Sequence, residues 1–182
     1  IKPLPEPAPP EGETDEAAWS RLTARLDAET RAFGGRVGIY IKDLKTGRVW
    51  AYRSDDLFPS ASLVKVPIMA AVFQKIHRGE LALDGGLVLR RRHRTGGSGS
   101  LKWNRDGARF TVRETLERMI DESDNTAMKM LIEAVGFGTL QQEFSRMGLL
   151  YTEIYPEGLS LRSGRVRAEN YTTARELAGM LE

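Results

Sequence analysis

Cysteine is absent from the 182-residue chain, which excludes a disulfide framework, a thiol nucleophile and a thiolate metal site. Only two histidines are present, so a histidine-rich metal site is not expected either. No apolar run approaches the roughly 20 residues that cross a bilayer, and no transmembrane segment is predicted. The formal net charge of +2 is too small to argue for a nucleic-acid partner. With 41% hydrophobic and 29% charged residues, the composition is that of a folded globular protein.

Residues 1–16 differ from the rest, because they hold five of the eight prolines and five acidic residues against one lysine. Such a segment stays extended and solvated, since it cannot bury a core. We therefore predict a disordered linker over 1–16, serving as a spacer or left from cloning, and a folded domain over 17–182. The first residue is Ile1, so secretion can be inferred only indirectly.

The spacing of apolar residues predicts about six helices and two strands. A helix over 16–33 precedes a β-hairpin with strands at 36–43 and 48–53. Further helices are predicted at 62–79, 111–120, 125–135, 139–147 and from 173 onward, with a basic Gly/Ser-rich loop over 87–107. Capping boxes are predicted at Thr111–Glu114 and Thr173–Glu176. The residues predicted to face the core include Ile68, Ala71, Val72, Met119, Met128, Met130, Met147 and Leu181. Pro67 is expected to cost its helix a hydrogen bond. A lone hairpin is marginal in water, and the last helix stops without a cap, so we expect part of the domain to lie outside this chain.

A serine and a lysine stand three residues apart at Ser62 and Lys65, at the start of a predicted helix. Residues at i and i+3 share a helix face, which places the hydroxyl and the amine side by side. A lysine whose pKa is lowered can take the proton of a serine and make it a nucleophile. The motif alone is weak, because a helix-capping serine followed by a solvated lysine explains it as well.

A second polar cluster, Ser123-Asp124-Asn125, lies between two predicted helices. All three residue types cap helix N-termini, so capping alone explains the cluster. A role in chemistry depends on this cluster meeting the Ser62–Lys65 pair in the fold.

The two motifs together resemble those of the penicillin-recognising serine enzymes, above all the class A β-lactamases and their broader serine hydrolase relatives. The similar stretches are Val37–Trp50, Phe58–Pro67, Gly97–Leu101, Ser123–Ala127 and Asn170–Leu177. The resemblance covers residues 16–182 and is specific in the order and spacing of Ser-x-x-Lys and Ser-Asp-Asn.

The resemblance implies an α/β fold of the β-lactamase/transpeptidase type, with a helical subdomain and an incomplete antiparallel sheet whose C-terminal strands are missing. It implies that Ser62 attacks the substrate carbonyl, that its backbone N–H supplies one oxyanion donor, and that Lys65 takes or relays its proton. It further implies that Ser123 passes a proton to the leaving nitrogen and that Asn125 holds the substrate and positions the lysine. No metal or organic cofactor is needed.

The family also has a Lys-Thr-Gly element on a strand near its C-terminus. Lys45-Thr46-Gly47 has the same letters but precedes Ser62 and lies in the predicted hairpin turn, so we interpret it as a coincidence. The true element is expected beyond Glu182, together with a strand that supplies the second oxyanion donor. We therefore expect the 182-residue polypeptide alone to be inactive, or to be completed by a complementary C-terminal fragment.

Class A β-lactamases release the acyl group with a glutamate in a Glu-x-x-x-Asn pattern. Glu157 falls near the expected position, counted back from Thr172-Thr173, but the asparagine is missing. Glu157 is thus either the deacylating base, worth about 10²–10⁴-fold, or a surface acid. Without such a base the enzyme would acylate and then stall.

Three further features surround the motifs. Ser98, in the Gly/Ser loop, is predicted to contact substrate, and Trp103 either edges the substrate cleft or packs in the core. The stretch Arg90–Arg94 is interpreted as a solvated loop beside the pocket mouth, with an anionic-polymer site as the alternative. No aromatic residues interleave there for base stacking, so nucleic acid is not expected.

These observations predict a serine hydrolase that opens β-lactam amides through an acyl-enzyme. One alternative is a penicillin-binding D,D-peptidase or esterase that acts on D-Ala-D-Ala-like peptides and deacylates slowly. The other is a non-catalytic module that binds cell-wall peptide or an anionic polymer. β-Lactams and cell-wall peptides lie outside the cytoplasm, and the Pro/Glu-rich tail suits a secreted or tethered enzyme, so a periplasmic or secreted location is expected.

Overall fold

The computed structural model describes residues 14–155, 161–162, 165–166 and 169–182. The chain divides into two compact units, Ile1–Arg53 and Ser54–Glu182. Both candidate motifs lie in the second unit.

The first unit contains the predicted helix and hairpin. Helix α1 spans Asp15–Ala32, and the Thr14 side chain caps it by accepting a hydrogen bond from Ala17 N at 3.2 Å. The helix therefore starts two residues inside the predicted linker. The rest of that linker, residues 1–13, lies outside the described residues.

The hairpin pairs β1 (Ile39–Lys42) with β2 (Val49–Tyr52), antiparallel, with Ile41 opposite Trp50. The turn between the strands is built on Asp43, whose carboxylate accepts hydrogen bonds from Lys45 N and from the Thr46 hydroxyl. Lys45-Thr46-Gly47 thus occupies the hairpin turn, as predicted.

The second unit is mostly helical. Its helices are α2 (Lys65–His77), α3 (Val112–Asp121), α4 (Asn125–Val135), α5 (Phe137–Arg146) and α6 (Ala174–Gly179). A 3₁₀ turn, Ala61–Val64, leads directly into α2, and two more lie at Arg91–His93 and Leu101–Trp103. Pro67 is the third residue of α2 and so lies in its first turn, where proline is better tolerated than in a helix interior.

Strands are more numerous than predicted. In the described part of the second unit, three antiparallel pairs are present. They are β3 (Phe58–Pro59) with β8 (Tyr171–Thr172), β4 (Gly86–Val88) with β5 (Arg109–Thr111), and β6 (Leu161–Arg162) with β7 (Arg165–Val166). The prediction of only two strands was therefore wrong. Strands of two or three residues are too short to show the alternation on which such a prediction depends.

The core forms around α2. Ile68, Ala71 and Val72 are fully buried on one face of this helix, as the spacing predicted. They belong to one apolar cluster with residues from α3, α4 and α5, among them Met119, Leu131, Leu140 and Phe144. The four predicted core methionines all join this cluster or pack against it, Met128, Met130 and Met147 included. This packing holds the start of α2 against the turn before α4.

The last helix, α6, has only half of the predicted capping box. Thr173 caps α6 by accepting from Glu176 N at 3.1 Å, as predicted. The Glu176 carboxylate does not complete a capping box but accepts from Leu150 N at 2.6 Å and Tyr151 N at 2.8 Å. Leu181, predicted to face the core, is 74% exposed.

Candidate active site

The Ser62–Lys65 pair straddles the junction between the 3₁₀ turn and α2. Ser62 is exposed within the turn, and Lys65 is the first residue of the helix, so a single turn separates the hydroxyl from the amine. Ser60 and Val64 occupy the two capping positions, and neither makes a side-chain cap. The helix-capping explanation for Ser62 was therefore wrong.

Lys65 is buried, with 3% of its surface exposed, which excludes the solvated lysine of the alternative interpretation. Its Nζ lies 3.3 Å from Ser62 Oγ, 2.8 Å from Ser123 Oγ, 2.7 Å from Ser123 O and 2.8 Å from Asn125 Oδ1. Ser123 Oγ in turn donates to Ser62 Oγ at 3.0 Å. The two hydroxyls and the amine thus form a closed triangle. The Asn125 side chain contacts the amine from outside this triangle.

Burial governs the electrostatics of this triangle. Desolvation lowers the pKa of Lys65 below its usual value, and the nearby Asp124 carboxylate opposes this shift. Two of the lysine's neighbours, Ser123 O and Asn125 Oδ1, can only accept hydrogen bonds. A neutral amine can donate its two protons to these oxygens and keep its lone pair for a hydroxyl proton.

The Ser123 turn is strained in order to present both of its oxygens to Lys65. Ser123 has a φ of 53°, in the left-handed region that non-glycine residues rarely adopt. Asp124 then caps α4, with its Oδ1 accepting from Thr126 N at 2.7 Å and Ala127 N at 2.9 Å. Helix capping therefore accounts for Asp124, whereas the flanking Ser123 and Asn125 side chains face the lysine.

The Gly/Ser loop lies against this turn. Asn125 N donates to Ser98 O at 3.2 Å, and Asn125 Nδ2 donates to Gly96 O at 3.1 Å. Because Nδ2 is held by the loop, Oδ1 of the same amide is turned toward Lys65. Ser98 thus contacts the site through its carbonyl, and its side chain is exposed.

Gly99 makes the close approach of this loop possible. It has a φ of +98°, and a Cβ at this position would lie 2.0 Å from the Asp124 carboxyl carbon. Leu101 N donates to Asp124 Oδ2 at 2.8 Å from the same side. No role was predicted for Gly99, and only helix capping was predicted for Asp124, although a Gly-rich loop is a known signal of close backbone approach.

The strand before the nucleophile is anchored by Asn170, whose contact with the site was not predicted. Ser60 N and Ser60 Oγ both donate to Asn170 O, at 2.7 and 3.1 Å. The Asn170 side chain accepts from Tyr155 N at 2.7 Å. Ser60 and Asn170 are buried, so these bonds fix the chain two residues before Ser62.

The remaining predicted residues have different outcomes. Trp103 is 80% exposed, with the Lys102 ammonium 5.4 Å from its ring centroid, so the core-packing alternative for Trp103 was wrong. Glu157 lies outside the described residues. Among the described residues, no group of three or more metal-ligating side chains could hold a metal ion. No helix in the described part of the chain is long and apolar enough to span a membrane.

Part of the basic stretch has structural partners. The Arg92 guanidinium is paired with both oxygens of Glu133, at 2.6 and 2.7 Å, and Glu133 also contacts Nε2 of the buried His93 at 2.9 Å. Arg94 donates to the carbonyls of Lys102 and Asn104. These contacts tie the loop to α4 and to the turn around Trp103.

Replacing Gly99 by alanine tests the packing of the loop on Asp124. We expect Gly99→Ala to lower the thermal midpoint and to accelerate amide exchange at Leu101, because the new methyl overlaps the carboxylate. Gly107→Ala is the matched control, since Gly107 also has a positive φ of +83° but nothing within 4 Å of its Cβ position. Both variants carry the strain of a left-handed alanine, about 1–2 kcal/mol. Equal losses in the two would show that the loop does not need the close approach.

Comparison with known proteins agrees with this geometry. Residues 21–182 match the model of the Beta-lactamase enzyme family. A β-lactamase from Rhodobacter capsulatus is 32% identical over 134 residues, covering 74% of this chain and 44% of that protein. The chain spans less than half the length of the curated relatives it matches first.

Two solved structures share the fold. PBP-A, solved as a single-residue variant in an acyl-enzyme complex with penicillin G, has a TM-score of 0.78 at 28% identity and covers 88% of this chain and 60% of its own. A β-lactamase from Sphaerobacter thermophilus has a TM-score of 0.76 at 31% identity, with coverages of 89% and 60%. The predicted β-lactamase/transpeptidase-like fold is confirmed. With the Ser-x-x-Lys and Ser-Asp-Asn motifs in contact and the family model matching most of its length, the chain belongs to the beta-lactamase enzyme family.

Proposed function

We propose that this protein is a serine hydrolase that opens β-lactam amides through an acyl-enzyme. The observation that carries the proposal is the triangle of Ser62 Oγ, Lys65 Nζ and Ser123 Oγ, with edges of 3.3, 2.8 and 3.0 Å. A nucleophile within reach of a base, and a second proton carrier within reach of both, is what acyl transfer requires.

In the acylation step, Ser62 Oγ forms a bond to the lactam carbonyl carbon and gives its proton to neutral Lys65. The C–N bond of the ring then breaks, and the ring nitrogen takes a proton from the Ser123 hydroxyl. Lys65 returns a proton to Ser123, so the amine ends as it began. The 2.8 Å contact between Lys65 Nζ and Ser123 Oγ carries this last transfer.

Substrate binding falls to the groups around the triangle. The Asn125 amide donates one proton to Gly96 O, and its second proton is suited to a carbonyl in the substrate's side chain. The Ser62 backbone N–H supplies one oxyanion donor. Exposed Ser98 and exposed Trp103 form an edge of the cleft, where the indole offers an apolar face to the substrate.

A second candidate, a penicillin-binding D,D-peptidase with slow deacylation, is favoured by the likeness to PBP-A. It uses the same acylation groups and differs only in the release of the acyl group. The non-catalytic module is less favoured, since binding alone gives no reason to bury the Lys65 amine between two hydroxyls. Binding of an anionic polymer is also less favoured, because the guanidinium groups of Arg92 and Arg94 already have partners in the fold.

Both candidates act on compounds that lie outside the cytoplasm, so we further propose a periplasmic or secreted location. Because the relatives extend well beyond the length of this chain, we also propose that a complementary C-terminal segment contributes to the active site. The following experiments therefore use the complete gene product. Its turnover compared with that of the 182-residue chain tests the need for such a segment.

Removal of the nucleophile tests the proposal directly. Ser62→Ala should abolish the covalent adduct with a chromogenic cephalosporin, measured by intact-protein mass spectrometry, because the attacking oxygen is removed. Lys45→Ala is the control and should leave adduct formation nearly unchanged, since Lys45 lies in a hairpin turn. An adduct that persists in the serine variant, or disappears in the Lys45 variant, contradicts these assignments.

The pH dependence of acylation reports on Lys65. Because burial lowers the pKa of this amine, the acylation rate should rise with pH and level off below the pH at which an exposed lysine titrates. The sign follows from the need for a neutral base, which forms as pH passes the folded-state pKa. Acylation of Lys65→Arg, measured by stopped flow, should be slow and should not rise with pH over this range, because arginine stays charged. A flat profile in the unmodified protein would contradict the role of Lys65.

The lifetime of the adduct separates the two candidates and tests Glu157. If Glu157 activates the deacylating water, Glu157→Gln should prolong the adduct by about 10²–10⁴-fold, the usual effect of removing a general base. Glu153→Gln serves as the control for charge in the same segment. An unmodified protein whose adduct already persists for hours, with no change in Glu157→Gln, would instead be the peptidase.

A further inference from the structure

The Gly/Ser loop must keep its position for the amide of Asn125 to face Lys65. Gly96 O and Ser98 O hold the two nitrogens of Asn125, at 3.1 and 3.2 Å, and these carbonyls belong to a segment that contains three glycines. Glycines leave a chain more conformational freedom than any other residue, so the loop does not hold this shape by itself. Contacts beyond the loop must therefore fix it, and one of them is the bond from Leu101 N to Asp124 Oδ2 at 2.8 Å.

A second set of contacts lies at the end of α3. Ser100, four residues after Gly96, donates through its hydroxyl to Glu122 Oε2 at 2.6 Å and through its backbone N–H to the same oxygen at 3.2 Å. Arg118, one helical turn before Glu122, donates to Ser100 Oγ at 2.9 Å and to Glu122 Oε1 at 3.0 Å. We call these three residues the Ser100 bracket.

The bracket is also tied to the strained turn. Glu122 directly precedes Ser123, whose φ is 53°. The Arg118 carbonyl accepts from both Glu122 N at 3.2 Å and Asp124 N at 3.1 Å. The Arg118 and Glu122 side chains therefore hold the loop. The Glu122 backbone leads into the turn that carries Ser123, and the Arg118 carbonyl stabilises this turn by its bond to Asp124 N.

The electrostatics of Glu122 and Arg118 favour a fixed geometry for the Ser100 bracket. Hydrogen bonding from Ser100 is the main reason why the pKa of Glu122 lies below its usual value, with the Arg118 charge acting in the same direction. Arg118 also lies over the Phe110 ring, 5.9 Å from its centroid, which limits the positions that its guanidinium can take. Glu122 therefore stays ionised and paired across the neutral pH range.

We infer that Ser100, Arg118 and Glu122 are positioning residues, which clamp the Gly/Ser loop onto the Ser123 turn and so aim the Asn125 amide at Lys65. None of the three reaches the reacting atoms. Their effect on acyl transfer rests on the proposed function, whereas their effect on Asn125 does not.

Two measurements on the complete gene product test this inference. The first is native-state exchange of the Asn125 backbone amide, which should be faster in Ser100→Ala and in Glu122→Ala, while the Gly136 amide at the far end of α4 stays unchanged. The second is the single-turnover acylation rate, which should fall about tenfold in both variants, since small misplacements at a reacting centre cost up to about a hundredfold. The pH range over which the acylation rate rises, which is assigned to Lys65, should stay the same in both variants.

Ser100→Thr keeps the hydroxyl and should restore both readouts. Glu117→Ala is the matched control, because it removes an exposed carboxylate from the same helix without touching the bracket, and it should change neither. The inference is overturned if Asn125 exchange is unchanged in the two alanine variants, if the threonine variant restores nothing, or if Glu117→Ala has the same effect. If the protein forms no Ser62 adduct at all, the proposed function is refuted. The exchange rates of the Asn125 amide then test by themselves whether the Ser100 bracket positions Asn125.

Discussion

The arrangement of the site depends on the burial of one amine. Lys65 is almost completely removed from water, and an amine in that position needs protein acceptors for its protons. Three of these acceptors come from Ser123 and Asn125, which lie far along the chain. Burial therefore lowers the pKa of the amine and at the same time determines where the second motif must lie.

Meeting this requirement needs a backbone that would not form by itself. Ala61 and Ser123 both have positive φ, at 45° and 53°, and each stands beside or within the reacting groups. Such conformations persist only where the surroundings determine them more strongly than local preference does. Here the surroundings are the α4 cap made by Asp124, the anchoring of Ser60 by Asn170, and the loop packed over the turn.

Much of the architecture could be predicted from the sequence because it depends on local patterns. The helix periodicity of α2 and the cap of α3 at Thr111 and Glu114 are confirmed, as is the hairpin turn at Asp43. Features that depend on distant partners could not be predicted in this way. Strands β4 and β5 have three residues each and exist because they pair with one another. The Glu176 carboxylate has the sequence signature of a capping box, yet it bonds to the backbone at 150 and 151.

The sequence by itself determined which groups are available for chemistry: a serine and a lysine one turn apart, a serine–aspartate–asparagine cluster, and no thiol. These follow from residue identity and from helical spacing, which act over three or four positions. Only the tertiary structure decided that the lysine is buried, that Asp124 caps while its neighbours face the amine, and that Trp103 is exposed. Burial and orientation depend on what packs against a residue from elsewhere in the chain, and no pattern within a short window contains that information.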